Sequence, residues 1–115
     1  MSVKSAVHSY TKEKFNCAQS ILKAFGHRKD ITQQEIESAR SLGGGKAAGG
    51  VCGALHAALL LHDDREKKKS VRESFIMRAG SDQCRVIRAL KIINCVQCVE
   101  LAACLLEDDA GINQK

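Results

Sequence analysis

Apolar residues recur at helical spacing along most of this chain. Val3, Val7, Tyr10, Cys17, Ile21 and Phe25 fall near one stripe, which predicts a long amphipathic helix over residues 3–25 with Cys17 on its inward face. Gly26 is the expected stop of that helix. Thr32 followed by Glu35 fits a capping box and predicts a second helix over 33–42. Residues 51–62 are apolar on most sides, as a buried central helix requires. Residues 65–79 place Val71, Phe75 and Ile76 inward. The polar break His62-Asp63-Asp64 caps this fourth helix and Gly80 ends it. Ser81 is the expected cap of a fifth helix reaching Lys91, and Asn94 of a sixth from Cys95 to Glu107. A single bent helix over 82–107 is the alternative. The pattern predicts an all-α fold: a single domain over 1–115, built as a compact bundle of five to six helices.

Composition agrees with the pattern. The chain has no proline, 3% aromatic residues and abundant Ala, Leu, Lys, Glu and Gln, a mixture that favours helices over strands. The run from Gly43 to Gly50 breaks it, because each glycine costs about 1 kcal/mol in a helix interior. Gly43, Gly44 and Gly45 are therefore read as a loop before the central helix. Its free amides would suit a thiolate, an anion or a cluster sulfide, with Gly53 close behind, or the glycines serve only close helix packing. It is not a P-loop, since Lys46 is followed by Ala47 and no glycine stands five residues before Gly45.

The formal net charge is +5 and the isoelectric point about 9.0. Much of the excess sits in Arg65, Lys67, Lys68, Lys69 and Arg72, with only Phe75 as a nearby aromatic. That run reads as a solvated helix face, and no nucleic-acid partner is expected. The longest apolar stretch, Ala54 to Leu61, is interrupted by His56 and is too short to span a bilayer, so no membrane insertion is expected. The first residues lack a signal-peptide pattern, and a cytoplasmic location is the expectation.

Chemistry enters through sulfur. Six cysteines in 115 residues exceed what packing of a small core demands. In a reducing compartment they read as metal ligands or reversible thiols rather than a disulfide frame. Cys52 follows the glycine loop at the first turn of the central helix, where the macrodipole eases proton loss. Cys95 and Cys98 share a helix face as a C-x-x-C pair after Asn94, a spacing for a dithiol or two ligands of one metal. Cys104 lies about 180° around that helix from Cys95 and is read as a core residue. His56 stands four residues after Cys52 and is a candidate ligand or a core histidine. His8, His27 and His62 are expected at the surface.

Asn16-Cys17-Ala18-Gln19, Gly43-Gly44-Gly45, Cys52-Gly53-Ala54, Cys84 and Cys98 together resemble the redox-active family named for its C_GCAxxG_C_C motif. The resemblance covers roughly residues 10–106. It implies a small helical protein with four shared cysteines, here Cys17, Cys52, Cys84 and Cys98, and attaches no specific reaction. Ala57 stands where the family's second motif glycine falls, and Cys95 and Cys104 look like additions.

Three readings of function stay open at this point. Cys17, Cys52, Cys84, Cys98 and Cys95, with His56, are candidate ligands of zinc or an iron–sulfur cluster. Alternatively, with no cofactor, Cys52 or Cys98 attacks a disulfide and a neighbour resolves, serving an unidentified redox partner protein. In the third reading the chain is a helical interaction subunit of a membrane-associated system. A shared site requires Cys17 and Cys52 to lie close in the fold. The apolar central helix leaves a homodimer open.

Overall fold

The structure is a computed structural model and describes residues 2–13, 15–26, 30–42, 50–62 and 64–113. The all-α expectation holds, with seven α-helices among the described residues rather than five to six. They are α1 (Ser2–Lys12), α2 (Cys17–Phe25), α3 (Gln33–Ser38), α4 (Gly53–Leu60), α5 (Arg65–Ala79), α6 (Cys84–Leu90) and α7 (Cys95–Asn113). A 3-10 turn, Ala39–Leu42, follows α3. Gly43, Gly44 and Gly45 lie outside the described residues.

The extra helix comes from a break inside 3–25. Asn16 is extended (φ −79°, ψ 179°) and caps α2. Its Oδ1 accepts the Gln19 N–H at 2.7 Å, and Gln19 Oε1 accepts the Asn16 N–H at 3.1 Å. This capping box satisfies donors that a helix start leaves without partners. The same side chains tie α2 to its neighbours. Asn16 Nδ2 donates to the carbonyls of Ala39 (3.1 Å) and Arg40 (2.9 Å), and Gln19 Nε2 to that of Ile36 (3.1 Å). The polar residues of Asn16-Cys17-Ala18-Gln19 thus fix where α2 starts and what it rests on.

Other boundaries follow the sequence closely. Thr32 and Glu35 form the expected capping box of α3. Asp64 accepts the Glu66 N–H and starts α5, and Gly80 ends it at φ 90°. An L side chain is strained at that φ, and a Cβ there would meet Leu90 Cδ1 at 2.7 Å. Ser81 does not cap α6. Its Oγ accepts the Gln83 N–H, and the N-cap is Gln83. Asn94 caps α7 through a third reciprocal pair, with Gln97 (2.8 Å each way). Lys91 at φ 57° turns the chain between α6 and α7, whose axes differ by 117°, so 82–107 is not one helix.

α4 is the centre: Ala54, Leu55, Ala57 and Ala58 are fully buried. α2, α5 and α7 pack on it, and α1 closes over α2 and α7. Phe25, Phe75, Ile21, Leu55, Val99 and Leu106 are the large enclosed side chains, each worth about 1.5–3 kcal/mol of transfer free energy. Val71 and Phe75 are buried as expected, and Ile76 is half-buried. His62, expected at the surface, is buried at 6% exposure, because α4 ends at Leu60 and the following turn folds the ring inward. No single helix among the described residues is long and apolar enough to cross a membrane.

Candidate functional site

Five of the six cysteines line one cavity of about 80 Å³. Each reaches it from the start of a helix. Cys17 is the first residue of α2, Cys84 of α6 and Cys95 of α7, and Cys52 is the N-cap of α4. Cys98 follows one turn into α7. Cys104 is half-buried and lies away from the cavity, as its angular position requires. No disulfide joins the six cysteines.

Cys52 is held from behind. Its N–H donates to the Asp82 carbonyl at 2.8 Å, and Val51 and Gln83 form an isolated antiparallel bridge. The Asp82 carboxylate in turn pairs with Arg72 of α5 at 2.7 Å. The loop before α6, which presents Cys84, is thereby fastened to the segment that presents Cys52.

Cys17, Cys52 and Cys98 share the cavity lining, and hydrogen bonding between Cys17 and Cys52 and between Cys52 and Cys98 bears on the protonation of Cys17 and Cys52. The bond to Cys52 and burial push the Cys17 thiol far above the ordinary range. At Cys52 the bond with Cys17 pulls the pKa down. The bond with Cys98, together with burial, outweighs that pull and pushes the thiol up to about 12. Burial also raises the Cys84 thiol, against the attraction of Arg88. At neutral pH these three thiols are protonated.

Cys95 has different surroundings. Arg88 and Tyr10 line the cavity with it, and interaction with Cys95 raises the pKa of both. The bond to Cys95, with attraction to Cys84 and Cys95, holds Arg88 above its ordinary range. Burial, and then Cys95, push the Tyr10 hydroxyl up to about 12. Charge-assisted bonds of this kind are about twice as strong as neutral ones. Cys95 is half-buried, the more accessible member of the C-x-x-C pair, and Cys98 is buried at 4% exposure.

The structure does not bring His56 to the cavity. Its ring is half-buried near Arg72, and burial and that cation hold its pKa below the ordinary value. Cys52 is the N-cap of α4 with ψ 131°, and its carbonyl accepts the His56 N–H at 2.9 Å, yet the two side chains do not meet at the cavity. Gly53 is buried behind Cys52 at the start of α4 and does not line the cavity. Among the described residues no group of three or more His, Cys, Asp or Glu side chains is arranged to hold a metal ion.

Sequence reasoning passed over Tyr10 and Arg88. Tyr10 was read only as part of an apolar stripe. Arg88 stands four residues after Cys84 on the same face of α6, a spacing that marks a cation beside a thiol. Comparison of the chain with protein-family models, curated proteins and solved structures finds no match.

Proposed function

We propose that this chain is a thiol–disulfide redox protein in which Cys95 attacks and Cys98 resolves. The observation that carries the reading is the place of Cys95, the more exposed thiol of a C-x-x-C pair, in a cavity lining shared with Arg88 and Tyr10. A thiolate is the nucleophile in such exchange, and Cys95 is the member of the pair that a substrate can reach. Cys95 thiolate attacks one sulfur of a disulfide RS–SR. That S–S bond breaks, one RS⁻ leaves and takes a proton, and a Cys95–SR mixed disulfide forms. Cys98 then attacks the Cys95 sulfur and the second RSH leaves. The protein loses two electrons and two protons, and the substrate gains them.

Cys17, Cys52 and Cys84 are supports in this scheme. Burial and mutual hydrogen bonds keep them protonated, and the Cys52 thiol holds Cys98 in place until it attacks. The resemblance to the C_GCAxxG_C_C family points toward the same redox chemistry. A reducing compartment, the cytoplasm, is the setting that a regenerating dithiol needs. Its electron partner is a separate reductant protein, and a homodimer is compatible with the scheme.

A zinc or iron–sulfur reading draws on the same gathering of five sulfurs. Among the described residues no group of three or more His, Cys, Asp or Glu side chains stands in ligand geometry, so the dithiol reading has the more direct support. The test is oxidation of the reduced protein with excess bis(2-hydroxyethyl) disulfide, followed by intact mass. Wild type should pass through one adduct to an internal disulfide, Cys98→Ser should stop at the adduct, and Cys95→Ser should form neither. Unchanged behaviour of Cys95→Ser would overturn the assignment.

A further inference from the structure

The rim of the thiol cavity is basic on one side. From Gln83 to Val99 the chain carries Arg85, Arg88 and Lys91 and neither Asp nor Glu. All three cations are exposed, and all belong to α6 or its C-terminal cap. Arg88 lines the cavity itself, where no carboxylate accompanies it. The two amides of the lining are already engaged, Asn16 in capping α2 and Asn94 in capping α7. Arg88 is therefore the group at this site with polar capacity to spare. A guanidinium has five N–H donors in a rigid fork, and the bond to Cys95 leaves the rest facing solvent. The cavity, at about 80 Å³, has room for a small group of atoms but not for a folded segment.

We propose that the site selects small disulfides that carry a carboxylate a few bonds from the sulfur–sulfur bond. Arg88 binds the carboxylate while Cys95 attacks the adjacent sulfur. This inference rests on the thiol-exchange reading above. A guanidinium that lines the same cavity as Cys95 and also holds the substrate's carboxylate sets the distance between nucleophile and target. Such positioning converts an encounter into a near-attack geometry. Arg85 and Lys91 add a field that draws anions toward the rim. When the disulfide breaks, the leaving thiolate departs beside the same guanidinium.

The experiment compares three probes of one skeleton type: 3,3′-dithiodipropionate (anionic), bis(2-hydroxyethyl) disulfide (neutral) and cystamine (cationic). The rate of Cys95 adduct formation by the reduced full chain is measured by mass. Each rate is divided by that of the same probe with 2-mercaptoethanol. The expected result is a preference for the anionic over the cationic probe of about tenfold or more at low salt. It should shrink toward about threefold in 1 M KCl, where screening reaches about 3 Å. Arg88→Gln should lose the preference and Arg88→Lys should keep an intermediate one. The salt series on the unaltered protein holds whether or not the variants fold. Equal normalised rates for the three probes would overturn the inference and leave thiol exchange standing. So would an equal slowing of all three in Arg88→Gln. Absence of any Cys95 adduct would remove the thiol-exchange reading and this inference with it.

Discussion

Cys17 of α2 and Cys52 at the start of α4 share the lining of one cavity, and hydrogen bonding with Cys52, with burial, pushes the Cys17 thiol far above its ordinary range. Two cysteines far apart in sequence thus form one end of a series that runs on to Cys98. Replacing Cys52 by Ser shortens the side-chain reach and breaks both links. The variant should still form the Cys95 adduct, and closure to the Cys95–Cys98 disulfide should slow by about tenfold, since Cys98 loses its positioning partner. Cys104→Ser should close at the wild-type rate. Stopped-time mass spectrometry of both variants checks this, and identical closure rates would count against the series.

The thiols should alkylate in a fixed order. With iodoacetamide on the native, reduced protein near neutral pH, Cys95 should react first. Cys17 and Cys52 should react last, by a factor of about ten or more, because the protonated thiol is a poor nucleophile and Cys52 is also enclosed. Peptide mapping of the time course reads the order. A fast Cys52 would contradict the electrostatics described for it.

Alkaline pH should loosen the fold. Cys52, with an ordinary value of 9.0, is pushed up to about 12, and Tyr10 from 10.0 to about 12. Cys17 and Cys84 move the same way. In each case the folded chain keeps a proton that the unfolded chain releases. The stability from these groups is complete below about pH 9 and is lost as pH rises toward 12. The loss should be on the order of a few kcal/mol across that window. Urea unfolding at successive pH values measures it, and a flat midpoint from pH 8 to 11 would contradict it.

Asn16 should matter for stability beyond its neighbours in the sequence. Asn16→Ala removes a cap worth about 1 kcal/mol and two side-chain bonds to the carbonyls of Ala39 and Arg40. A loss of about 1–3 kcal/mol is expected. Asn16→Asp keeps the cap acceptor but cannot donate to those carbonyls, and should fall between. Thermal unfolding of the three proteins separates the two contributions.

Much of the helical outline was legible because it depends on local chemistry. The Thr32–Glu35 box, the Gly80 stop, the Asp64 and Asn94 caps and the buried face of α4 all lie within a few residues of what they control. The break at Asn16 was hidden because α1 and α2 bury faces whose apolar positions stay nearly in phase across it. His62 was misplaced because periodicity assigns no face to a residue just past a helix end. The site was legible as a set of cysteines and not as a set of roles. Which thiol lies beside Arg88 and which beside another thiol depends on the 117° turn between α6 and α7 and on α1 packing over α2 and α7. His56 lies outside the cavity lining, near Arg72, a placement that spacing from Cys52 does not reveal.

The most direct test of the account is the disulfide map after oxidation by excess bis(2-hydroxyethyl) disulfide. Trypsin with cleavage at Glu100 isolates Ile92–Glu100, which contains Cys95 and Cys98 and excludes Cys104. The account requires that peptide to appear about 2 Da light, with an internal disulfide. A reduced Ile92–Glu100 beside a disulfide elsewhere would contradict it. So would iron with acid-labile sulfide in protein purified without air and protection of all five cavity thiols.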